Sequence, residues 1–174
     1  MAELSWAALQ AVWTIQTEFG DFRIDVDPFE GLVGGAFSAF LTTLVIGAIL
    51  LAIAPRYTER LMGILEDDAV DTFVYGLVAL VALVALTILL VITILGILLA
   101  IPLIVFAVLV WAVGAAIAYL LIGDRLVGHE DGWGKALLVG AGINGVLTIT
   151  GIGGLLAFCI GAAGFGAVIR DWRA

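Results

Sequence analysis

Charge is scarce in this sequence. Only 13% of its 174 residues are charged, about half the ~25% of a soluble domain, while 64% are hydrophobic and the mean hydropathy is +1.25. A soluble core of this size could not bury so much apolar surface, which excludes an ordinary water-soluble domain. Lysine, histidine and cysteine occur once each, at Lys135, His129 and Cys159, and proline three times. A lone cysteine cannot form a disulfide within its own chain, and inside an apolar run it reads as a small hydrophobe. Acids outnumber bases 15 to 7, for a net charge of −8. A surface of that sign repels nucleic acid and excludes it as a partner. Strong acidity with almost no lysine suits a halophilic setting, where salt screens the self-repulsion.

The same scarcities exclude most chemistry. One imidazole beside two acids, His129-Glu130-Asp131, lacks the spacing of a closed metal shell and reads as a solvated loop. Glu66, Asp67, Asp68 and Asp71 read as capping and surface charge beside a helix start, with Asp71 the expected N-cap. No Ser-His-Asp or Cys-His grouping stands out, and no acid pair falls at membrane depth, so neither an enzyme nor proton-coupled transport is expected. Gly140-Ala-Gly142-Ile-Asn-Gly145 matches G-x-G-x-x-G, but no strand precedes it and no acid follows before Asp171, so it reads as helix packing. Catalytic, metal and cofactor residues are therefore expected to be none.

What the chain has instead is long uncharged runs. Thr72 to Gly123 contains no charged residue in 52 positions. As one helix it would measure about 78 Å, more than twice the ~30 Å hydrocarbon core, so it must fold back. The turn is expected between Thr93 and Pro102. Gly96 permits unusual dihedrals, and Pro102 can open a new helix, giving spans at about 72–94 and 100–122. Gly31 to Ala54 is an earlier span of 24 uncharged residues, and Ala136 to Ile169 a later run of 34. That last run is too long for one upright span and short for two. It is either one tilted helix or, as favoured here, two short helices (about 136–150 and 153–170) meeting at Gly151, Gly153 and Gly154. The fold class is all-α: a polytopic membrane helical bundle of one span plus two helical hairpins, the second short or re-entrant.

Between the spans lie short polar pieces. Residues 1–30 form an acidic head, in which Ser5 to Gln16 reads as an interfacial or packed helix and 21–27 alternates like a strand. Met-Ala-Glu-Leu-Ser-Trp at the start puts an acid where a signal peptide carries bases. Tyr57 to Glu66 is amphipathic and reads as a surface connector helix. Arg56, Tyr57, Arg60, Trp133, Arg170 and Trp172 are expected anchors at one interface. With one span and two hairpins, that side collects six bases, the other only Arg23. The positive-inside rule then puts the N-terminus outside and the C-terminus in the cytoplasm. Val91–Ile97 and Val146–Ile152 resemble each other at an offset of 55, suggesting a repeat. Small residues at four-residue spacing mark packing faces: Gly34/Ser38, Gly35/Ala39, Ala112/Ala116, Gly114/Ala118, Ala157/Gly161 and Ala162/Gly166. Asn144, the most polar side chain in any run, is expected to hydrogen-bond a neighbouring helix, and Thr148 and Thr150 their own backbone.

These features together resemble a family. A span ending in Ala54-Pro55-Arg56-Tyr57, an amphipathic connector, an uncharged hairpin with Gly96 and Pro102 at its turn, and a Gly-rich hairpin at 151–154 are similar to the multi-pass membrane domain attached to bactofilin-type polymer-forming proteins. The likeness covers about 31–172. Residues 1–30 are too short for the β-helical polymerising domain of such proteins. The resemblance implies a membrane anchor or scaffold for an envelope assembly, with no catalytic residues. Expected partners are membrane lipids and either a second copy of the chain or another membrane protein. A small channel or a carrier of lipid or small solute is the alternative.

Overall fold

The computed structural model describes residues 28–172 except positions 131 and 151. Six helices follow one another: α1 (Pro28–Ile53), α2 (Pro55–Asp67), α3 (Ala69–Val91), α4 (Ile94–Val127), α5 (Trp133–Ile149) and α6 (Gly153–Asp171). Among the described residues there is no strand. The helix expected at Ser5–Gln16 and the extended stretch at 21–27 lie outside the described residues, as do Gly151 and Arg173.

Four helices are long and apolar enough to cross a membrane: Gly31–Ile53, Ala69–Val91, Gly96–Val127 and Gly153–Asp171. The architecture is thus all-α, with one span followed by two helical hairpins. The second hairpin is the shorter. α5 has 17 residues, so it is about 25 Å long and stops short of a ~30 Å core. The 34 residues of α4 reach about 51 Å and exceed it.

Local sequence explains where the helices break. Pro55 occupies the first turn of α2, where its missing N–H costs nothing, and so separates α2 from α1. α3 begins one residue after Asp68, so Asp68 flanks the start and Asp71 lies in the first turn. The expected N-cap at Asp71 is corrected accordingly. The charge still sits where the helix dipole favours it. Gly128 and Gly132 bracket the α4–α5 loop at φ of 68° and 107°, a left-handed backbone that other residues rarely adopt.

The α3–α4 turn differs from expectation. It is confined to Ile92 and Thr93, and Pro102 lies inside α4. The reason is Thr93. Its hydroxyl accepts the Gly96 N–H (3.0 Å) and donates to the Leu90 carbonyl (3.1 Å), so the next helix starts at Ile94, well before the proline. The α5–α6 turn repeats the hydroxyl-to-carbonyl half of this device, with a backbone carbonyl in place of the hydroxyl as acceptor. The Thr150 hydroxyl donates to the Leu147 carbonyl (3.0 Å), and the Gly153 N–H donates to the Thr150 carbonyl (2.9 Å). Both threonines are extended, with ψ of 140° and 135°. A Cβ on Gly96 would collide with the Leu90 carbonyl and Thr93 Oγ1, and one on Gly153 with the Leu147 carbonyl and Thr150 Oγ1.

These equivalences correct the repeat register from 55 to 57. Leu90–Ala100 then aligns with Leu147–Ala157, and Leu90, Ile92, Thr93, Gly96, Leu98, Leu99 and Ala100 all recur. Leu-x-x-Thr-x-x-Gly is thus a turn unit used twice. It lets an uncharged turn satisfy backbone groups from within, as hydrocarbon surroundings demand. Its tips are apolar and open: Ile92 is 79% exposed and Ile152 76%.

The packed core sits near α2. Leu61, Met62 and Leu65 of α2 join Ile117, Leu120 and Leu121 of α4, Leu137 of α5, and Phe165 and Val168 of α6. Toward the Thr93 turn, by contrast, α3 and α4 expose valine, leucine and isoleucine, including Val81, Leu89, Leu98 and Val105. That surface is apolar outside and suits lipid rather than water.

Candidate functional site: helix seams and a polar end

The helices meet through small residues. α1 runs antiparallel to α5, with Gly35 by Thr148, Gly145 by the Ala36 backbone, and Gly47 by Leu137. Midway, the Asn144 amide donates to Thr43 Oγ1 (2.7 Å) and to the Ala39 carbonyl (3.3 Å). The Thr148 hydroxyl turns back to the Asn144 carbonyl (2.8 Å). Asn144 is thus engaged across helices and Thr148 within its own. Asn144→Leu should weaken α1 docking by about 1 kcal/mol, the usual scale of an interhelical hydrogen bond in a bilayer. Denaturation in mixed micelles, compared with Thr43→Val and the double variant, measures the coupling. A fully additive double variant would show that the pair contributes nothing.

α6 is pressed against α3 on one side and α4 on the other. Gly166 lies on the Thr72 carbonyl and Gly76 on the Ala162 carbonyl, while Gly114 and Gly164 meet backbone to backbone. Gly161 makes room for the indole of Trp111, which also contacts Phe158 and Phe165 at ring distances of 5.5 and 5.9 Å. α4 and α5 meet in the same manner, with Gly123 on the Ala136 carbonyl and Gly140 on the Tyr119 carbonyl. Close approach of this kind brings Cα–H groups onto carbonyls and adds dispersion along the seam. Ala118 is buried in the core. Gly154 and Gly142 meet open space.

Gly34 and Ser38 behave differently. Both are exposed, and a Cβ on Gly34 would have nothing within 4 Å. Among the described residues they take no part in packing. The α1–α5 seam uses the neighbouring stripe, Gly35, Ala36, Ala39, Thr43 and Gly47, because that stripe faces Asn144.

Charged groups gather where α2, the α4–α5 loop and the end of α6 converge. Arg170 Nη2 donates to Asp68 Oδ2 (2.7 Å), and Arg125 Nε to Glu66 Oε1 (3.1 Å). Arg60 Nη2 lies 2.7 Å from Asp171 Oδ1, near enough to pair in charge although the angles do not make a hydrogen bond. Asp171 is the buried member, its side chain 8% exposed. The Arg125–Glu66 pair is exposed and adds little stability, but together the three pairs fix α2 against the ends of α4 and α6. The Tyr57 phenol is pushed above its ordinary pKa by burial, then by the Asp171 charge, with Arg60 partly opposing. His129 Nδ1 sits 2.6 Å from Asp124 Oδ1, and its ring stacks on Trp133 at 4.2 Å. Trp172 stacks on Phe106, in the first half of α4, at 5.8 Å, so it is tied to the bundle rather than standing free. Arg56 is exposed at the start of α2.

Sequence reasoning missed Gly76 and Gly123, although Thr72/Gly76 carries the same four-residue spacing, whereas Gly140 was read as helix packing and packs on Tyr119. The G-x-G-x-x-G match falls wholly inside α5. Among the described residues, no three His, Cys, Asp or Glu side chains stand close enough to hold a metal ion.

Long apolar helices joined through glycine and alanine, with every charge from residue 31 onward confined to 56–71, 124–135 and 170–173, define a polytopic α-helical bundle of membrane type. Within that class, the chain belongs to the family described as "Domain of unknown function (DUF8173)", whose profile matches residues 6–174. No curated protein and no solved structure matched.

Proposed function

We propose that this protein is a non-enzymatic scaffold or anchor in the cell membrane, associating with a second copy of itself or with another membrane protein. The observation that carries this reading is the Gly34/Ser38 stripe. The chain joins its own helices through stripes of this composition, and here no other described residue covers one. The resemblance to membrane domains of polymer-forming proteins points the same way. A channel or carrier ranks second, because Asn144 and Thr148, its best polar lining groups, are already hydrogen-bonded.

The orientation that goes with this role has the N-terminus outside and the C-terminus in the cytoplasm. Arg56, Arg60, Arg125, Lys135 and Arg170 fall in segments at the α2 end, while both turns are free of charge. A reporter fused after the last residue should be active on the cytoplasmic side only; activity outside would overturn the orientation. Protein at native expression, extracted in mild detergent, should size above the monomer or with a stoichiometric membrane partner. A monodisperse, partnerless monomer would count against the scaffold.

A further inference from the structure

An apolar groove lies between α3 and α4, in the half of the hairpin nearer the Thr93 turn. Its volume is about 350 Å³, and it opens on one side. Leu83, Val84 and Thr87 form one wall, Ile104 and Val108 the other. Trp111 also lines it, the same indole that contacts Phe158 and Phe165. The one hydroxyl, on Thr87, donates to the Leu83 carbonyl of its own helix at 2.8 Å. The groove therefore offers neither charge nor a free polar group.

We infer that this groove is a binding site for one acyl chain of a bilayer lipid. Two observations choose that occupant over a helix. First, the close helix seams among the described residues bring glycine or alanine to the contact: Gly76 with Ala162 and Gly166, Gly114 with Gly164, Gly123 with Ala136 and Gly140. The groove contains no glycine, and Ala107 is its only small residue. Its branched walls hold a rigid helix off, whereas a flexible hydrocarbon chain fits between them. Second, the polarity matches an acyl chain alone. With no charged side chain in the groove, a headgroup finds nothing to pair with, so selection is for chain and not for headgroup. The charge-free run from Thr72 to Gly123 puts the groove at hydrocarbon depth, where acyl chains are the surrounding solvent. Retention of one of them requires a pocket that removes more of the chain's surface from its neighbours than the bulk bilayer does, and the Trp111 side supplies the aromatic wall for this.

The test is lipid counting by native mass spectrometry on the full chain after detergent exchange, with phosphatidylglycerol or phosphatidylethanolamine of matched chains. The wild type should keep about one phospholipid per chain, whichever headgroup is supplied. Ala107→Trp, which fills the groove, should lower the retained lipid by about ten-fold, a 1.4 kcal/mol effect. Ala82→Trp, at an exposed α3 position outside the groove, should retain it. As a second measurement, lipid with brominated acyl chains should quench Trp111 in a variant lacking the other tryptophans, saturating near one equivalent. No retained lipid in the wild type, equal retention in Ala107→Trp, dependence on headgroup, or quenching that does not saturate would each overturn the assignment. So would a protein partner bound in place of the lipid. The count is made per chain, so it stands or falls independently of the oligomeric state that tests the scaffold.

Discussion

Gly166→Leu is expected to separate α6 from α3 and to cost about 4 kcal/mol or more, in the tail reserved for severe overpacking. A Cβ at this position collides with the Thr72 carbonyl and crowds the Gly76 backbone, neither of which is a flexible side chain that can swing away. Nor can the opposite flank yield, because Gly164 is already in backbone contact with Gly114 of α4. Shifting α6 would also break the Arg170–Asp68 bond and move Asp171 from Arg60. Unfolding in mixed micelles, followed by far-UV circular dichroism and tryptophan emission, measures the loss. Gly142→Leu is the control: its glycine meets open space, and the variant should stay within about 0.5 kcal/mol of wild type. Equal behaviour of the two variants would mean that α6 does not pack on α3 as described.

The second large effect is expected at the turns. Gly96→Ala and Gly153→Ala each place a methyl on a carbonyl oxygen and a threonine hydroxyl, a clash of about 1–3 kcal/mol. Alanine's better helix propensity returns up to about 1 kcal/mol, so both variants should be net destabilised, in spite of a change that favours helix elsewhere. The threonines should differ from each other. Thr93→Val removes the acceptor of the Gly96 N–H and should cost about 1 kcal/mol. Thr150→Val should cost less, since the Gly153 N–H bonds the Thr150 backbone carbonyl, which valine retains. Thermal or detergent denaturation of the four variants reads this pattern. Neutral glycine variants, or threonine variants in reverse order, would remove the paired-turn account.

The helices were legible where length arithmetic alone decides. A charge-free run of 52 residues must fold back, and Pro55 must separate the first span from the connector helix. The position of the fold-back was not legible from helix breakers. Pro102 is the obvious one, but the Thr93 hydroxyl caps a helix earlier and the proline is carried within it. The repeat was visible at the wrong offset because apolar stretches match at many registers. The shared bond from the Thr93 and Thr150 hydroxyls to the Leu carbonyl three residues back, with a glycine three residues on, fixes 57. Small-residue spacing identified the kind of seam but not which stripe would be used. On α1 two adjacent stripes, Gly34/Ser38 and Gly35/Ala39, are equivalent in sequence, and Asn144 on α5 selects one of them. The ion pairs were not legible at all, since Arg170 and Asp68 are 102 positions apart and meet only once α6 has packed.

The unselected stripe on α1 is where the scaffold reading is most exposed to test. A Ser38→Cys variant, with Cys159 replaced by alanine, can be oxidised or treated with a short bis-maleimide in intact native membranes. The account predicts a discrete crosslinked species, either twice the chain mass or the chain plus one membrane partner, and no such species from a cysteine placed at exposed Val81 on α3. A Ser38→Cys protein that stays at monomer mass under conditions that crosslink a known membrane dimer would contradict it.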